Sequence, residues 1–80
     1  MFSMNDKQKD ALAQLQKRGL ENRLAWIIIA EGFLTFEDFC THRTAREMLR
    51  IPNFGNTALR KVMTFAAQND VPVTDDQLPG

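Results

Sequence analysis

Apolar residues recur along this chain at three- and four-residue intervals, and no segment alternates apolar with polar for long. That pattern predicts helices and no strands. The first helix is expected over about Asn5 to Arg18, with Asn5 or Ser3 as N-cap, Lys17 and Arg18 at its end and Gly19 as its stop. Its stripe, Ala11, Leu12 and Leu15, is thin and needs a partner surface. The second helix, about Glu21 to Glu31, stops at Gly32. At 100° per residue Leu24, Ile27 and Ile28 share one face, while Trp26 and Ile29 fall nearly opposite, so both faces call for burial.

Two short helices follow. Thr35 is placed to cap the third with Asp38 at N3, and Leu34 and Phe39 have the spacing of a hydrophobic staple. Thr44 and Glu47 form a capping box for the fourth, which is expected to end about Arg50, because the residue before Pro52 avoids helical backbone. The last helix runs from Asn56 or Thr57 to Asn69, with Leu59, Val62, Met63 and Ala66 on one face and Phe65 widening it. Beyond Asp70, two prolines and two further acids read as a tail with local packing at most. The expected fold is an all-α bundle of five short helices. Its core comprises Leu24, Ile27, Ile28, Phe33, Phe36, Phe39, Leu49, Ile51, Phe54, Leu59, Val62 and Phe65.

Composition adds mainly exclusions. With 44% hydrophobic and 25% charged residues in an 80-residue chain, a single small folded domain is expected rather than a disordered segment. The single cysteine, Cys40, cannot form an internal disulfide, and with His42 it cannot furnish the four ligands of a structural zinc site, so neither metal nor cofactor is expected. Residues two apart on a helix do not face one another, so Cys40 and His42 make no nucleophile and base pair; Cys40 reads as a small buried residue. No catalytic constellation is apparent, and an enzyme is not expected. The longest apolar run, Leu24 to Ala30, is far short of the roughly 20 residues of a membrane span, and the first ten residues lack a signal-peptide pattern. A soluble cytoplasmic protein is expected.

Formal net charge is zero, unlike the usual nucleic-acid binder, but its distribution is uneven. Arg43, Arg46, Arg50, Arg60 and Lys61 face only Glu47 between residues 43 and 69, and acids dominate the flanking segments. In the middle of the basic stretch lies Ile51-Pro52-Asn53-Phe54-Gly55. Pro52 fixes φ, Asn53 tolerates positive φ, Phe54 can anchor the loop, and Gly55 brings freedom and no bulk ahead of a helix N-terminus. There the first backbone N–H groups lack partners and the dipole favours negative charge, which suits a phosphate.

The order L-x-I-P-N-F-G-x-x-x-L, carried by Leu49, Ile51, Pro52, Asn53, Phe54, Gly55 and Leu59, resembles the helix-hairpin-helix of the C-terminal domain of the bacterial RNA polymerase α subunit. Upstream, Arg23 opening a helix, then Phe33, then the cap over Thr35 to Phe39 follow that family's order. The resemblance covers about Leu20 to Asp70, with one extra residue between Phe39 and Met48. It divides the chain into an N-terminal helix (1–19), a helix-hairpin-helix domain (20–70) and a tail (71–80). It implies a helical domain that grips the DNA backbone across an A·T-rich minor groove and meets regulators or polymerase parts. The family's DNA-contacting arginine and glycine correspond to Arg23 and Gly55. Its asparagine is replaced by Trp26, its lysine by Thr57 and its serine by Ala58.

Two functions from different classes are therefore carried forward. In one, Arg23, Arg50, Gly55, Asn56, Thr57, Arg60 and Lys61 hold the DNA backbone. In the other, a protein adaptor uses Trp26, Ile29, Arg43 and Arg46 to bind a polymerase subunit, a regulator or a second copy in a weak homodimer. Bland roles compete for the same residues: a plain turn at Gly55, an ion pair for Arg23, a solvated stripe for Arg43, Arg46 and Arg50, and core packing for Trp26 and Ile29.

Overall fold

The computed structural model describes residues 3–74 and is all-helical among them, with α1 Asp6–Lys17, α2 Asn22–Ala30, α3 Phe36–His42, α4 Ala45–Met48 and α5 Asn56–Gln68. The chain groups into two compact units, one ending at Phe39 and the other beginning at Cys40, so that the division falls inside α3.

In the first unit α1 packs against α2. Asn5 caps α1 by accepting the Gln8 N–H at 2.8 Å, and the Gln8 side chain accepts the Asn5 N–H at 3.0 Å, a capping box. Both helices end in the same device. Gly19 (φ 97°) and Gly32 (φ 96°) take left-handed backbone, and the N–H groups of Leu20 and Phe33 return to the carbonyls of Leu15 and Ile28. The buried apolar side chains here are Ala11, Leu15, Leu20, Leu24, Ala25, Ile28, Ile29, Phe36 and Phe39. On α2 the buried residues are Leu24, Ala25, Ile28 and Ile29, an arc centred nearer Ala25 than expected. Ile27 is only half-buried, Ile29 is fully buried, and Trp26 remains 40% exposed.

Thr35 caps α3, its hydroxyl accepting the Asp38 N–H at 3.0 Å. Phe39 meets Phe33 edge-on with ring centroids 5.9 Å apart, while Leu34, the expected staple residue, is exposed. Arg18 donates to both carboxylate oxygens of Glu37 at 2.9 and 2.8 Å, tying the end of α1 to α3.

The second unit contains the end of α3, then α4 and α5, and buries Cys40, Met48, Ile51, Phe54, Val62, Phe65 and Ala66. Full burial of a side chain such as Val62 or Phe65 contributes about 1.5–3 kcal/mol. Two expected core positions, Leu49 and Leu59, are not buried here: Leu49 is exposed and Leu59 half-buried. α4 is a single turn, not a helix reaching Arg50: the N–H groups of Arg50 and Ile51 bond three residues back, to Glu47 and Met48, and this tightening turns Leu49 outward and Met48 inward. On α5 the buried stripe is Val62, Phe65 and Ala66, and Met63 is exposed.

After α5, Asp70 (φ 56°) provides a third left-handed stop, with Val71 N–H returning to the Ala66 carbonyl at 2.8 Å. The chain continues to Thr74, whose carbonyl accepts the Ala45 N–H at 3.0 Å and so satisfies one of the free donors opening α4. That part of the expected tail is anchored. Its remainder, including Asp75 and Asp76, lies outside the described residues.

Candidate nucleic-acid interface

The connection from α4 to α5 is organised by its residue types. Pro52 is exposed at its bend, Asn53 takes left-handed backbone (φ 63°), and Phe54 buries its ring while its N–H bonds the Ile51 carbonyl at 3.0 Å. Gly55 then serves as N-cap of α5, its carbonyl accepting the Leu59 N–H at 3.0 Å.

Gly55 corrects one expectation. Its φ of −111° and ψ of −168° are open to any residue, and a Cβ placed there would meet nothing within 4 Å. Neither backbone nor packing requires glycine, and the positive φ of this turn belongs to Asn53. What glycine does is leave the helix start bare. Asn5, Thr35 and Thr44 cap their helices through side-chain oxygens, whereas no side chain caps α5; α2, with Glu21 at its N-cap, has none either. Around the bare start Asn56 and Thr57 are exposed and Ala58 is half-buried. The N–H groups of that first turn, at the positive end of a 13-residue helix, can receive an oxyanion.

Charge in the same unit is arranged differently from the single helical stripe expected for Arg43, Arg46 and Arg50. Because α4 spans only Ala45–Met48, Arg43 precedes it and Arg50 follows it. Arg43 is half-buried and donates to the His42 carbonyl at 3.1 Å, whereas Arg46 and Arg50 are exposed. Glu47 closes the α4 capping box, accepting the Thr44 N–H at 2.9 Å while its own N–H donates to the Thr44 hydroxyl at 3.1 Å. That Thr44 N–H holds the Glu47 carboxyl below the usual carboxylate range, and the charges of Arg43 and Arg50 add to the effect. On α5, Arg60 and Lys61 are exposed and no acidic residue occurs between Asn56 and Gln68.

Gly55, Asn56, Thr57, Arg60 and Lys61 thus share one element, with Arg50 just before the turn that leads into it. Arg23 lies exposed in the first turn of α2, in the other unit. Of the expected partner residues in that unit, Trp26 is exposed and Ile29 has no accessible surface, so they do not form one patch and Ile29 offers nothing to a partner. Cys40 is fully buried, as a small apolar residue would be.

One surface feature escaped the sequence pattern. Leu59, Met63 and Ala67, each four residues from the next, form one row on α5 and Asn56, Arg60 and Thr64 the next, with a shallow open groove between them. The spacing was visible, but it overlaps the buried row of Val62 and Ala66, and the two rows read as one stripe. No family model, curated protein or solved structure matches this chain.

Proposed function

We propose that this chain is a small DNA-binding, transcription-associated module of the cytoplasm that holds the sugar-phosphate backbone through a helix-hairpin-helix formed by α4 and α5. The observation that carries the reading is the bare, exposed start of α5. A phosphate oxygen can reach the N–H groups of Asn56 and Thr57 because Gly55 has no side chain to obstruct it and no cap competes for them. Arg50, Arg60 and Lys61 supply charge in the same unit. Contacts of this kind position a protein on a duplex without reading its bases, so affinity is low, falls steeply with salt and depends little on sequence. The resemblance to the polymerase α C-terminal domain adds a preference for A·T-rich minor grooves.

A substitution at Gly55 separates function from fold. Aspartate is a preferred N-cap, its charge suits the helix dipole, and the position has room for it. Gly55→Asp should therefore leave the melting temperature unchanged or slightly higher while reducing affinity for a labelled A·T-rich duplex about tenfold or more at low salt, since a carboxylate would occupy the phosphate position. Wild-type affinity in a normally folded Gly55→Asp protein would overturn the reading.

A second reading, a protein adaptor, is favoured by the 40% exposure of Trp26 and by zero net charge, since exposed tryptophan is a frequent anchor of protein interfaces. Under that reading the wild-type protein leaves the duplex unbound.

A further inference from the structure

We infer that the outward face of α5, which begins at Asn56 and runs along the helix away from its bare start, is a docking groove for an acidic amphipathic helix of a partner protein. Single exposed apolar side chains are ordinary, but here Leu59, Met63 and Ala67 fall in one row along the helix and line a continuous groove, with Met63 43% exposed. Row spacing of this kind accepts the anchors of a second helix, and the flexible thioether of Met63 adapts to the side chains that enter.

Charge selects the occupant. Arg60 stands on the rim, α5 has no acid along its length, and the positive end of the helix dipole lies at Asn56. A second copy docking through the same face would set a second Arg60 against the first and bring no acid from α5. Nucleic acid would satisfy Arg60 but leave Met63 and Ala67 against phosphate. A helix with leucines on one face and glutamates beside them satisfies both parts of the groove.

The test uses isotope-labelled full-length protein and a synthetic peptide of about 18 residues with leucines at i, i+4 and i+7 and glutamates elsewhere. A control peptide has every glutamate replaced by lysine. Amide shifts should centre on Leu59, Met63 and Ala67 with the glutamate peptide only. Met63→Glu, at an exposed position the fold does not need, and Arg60→Glu should each weaken binding about tenfold. Absence of shifts at millimolar glutamate peptide, equal binding of the lysine peptide, or shifts at Met63 and Ala67 produced by DNA duplex would each overturn the inference. The DNA reading fails on a different signal, the absence of duplex-induced shifts at Gly55 to Ala58.

Discussion

Asn53 and Asp70 hold left-handed backbone with φ of 63° and 56°, a conformation that the same chain gives to glycine at Gly19 and Gly32. Asparagine and aspartate enter this region at lower cost than other side chains, yet a Cβ there still carries strain that glycine avoids. Asp70→Gly should therefore raise stability by about 0.5–1 kcal/mol, seen as a rise of a few degrees in melting temperature. Gly19→Ala or Gly32→Ala should lower stability by a similar or larger amount. Asp70→Gly proving destabilising would show that its side chain contributes more than the strain removes. Gly55 belongs to neither group: its backbone is ordinary and its surroundings empty, which makes it the one described glycine whose absent side chain calls for an explanation outside folding.

Among elements, the pairing of α1 with α3 through Arg18 and Glu37 gives a pH dependence of known sign. The hydrogen bonds from Arg18, followed by a bond to Glu37's own backbone N–H and the Arg18 charge, hold the Glu37 carboxyl below the usual carboxylate range, and the Arg18 guanidinium is correspondingly shifted upward by its bond to Glu37. A carboxyl lowered on folding contributes stability above its unfolded pKa and loses it as pH falls through the carboxylate range to the folded value. Because the Glu37 side chain is 51% exposed, the contribution is no more than about 1 kcal/mol. Glu37→Gln should flatten the acid side of the stability curve measured by urea denaturation, leaving the slope due to Glu47. An unchanged acid limb would show that this surface pair contributes nothing.

The elements also show what their sequence made legible. Thr35, Thr44, Gly19 and Gly32 stand where helices were expected to start or stop, because caps act through neighbours in the chain. The inward faces were harder. Ala25 is buried where larger residues had been given priority, Met48 and Leu49 exchange roles because α4 is a single tightened turn, and Met63 faces outward because two rows overlap on α5. In each case the face is set by packing between elements, which a local period does not contain. For the candidate interface, the turn chemistry of Pro52, Asn53 and Phe54 was readable, but the ordinary backbone of Gly55 was not, because glycine is compatible with both signs of φ.

For the molecule as a whole, every regular element among the described residues is a helix, and none of these helices is long and apolar enough to cross a membrane. Zero net charge means that any attraction to DNA comes from local arrangement, the bare start of α5 and the cations beside it, and not from a general positive field. The measurement that tests this most directly is an amide-shift titration of the labelled chain with a short A·T-rich duplex, at low and then moderate salt. The account predicts shifts concentrated at Gly55, Asn56, Thr57 and Ala58, fading as salt rises. Spectra unchanged at millimolar duplex would contradict it.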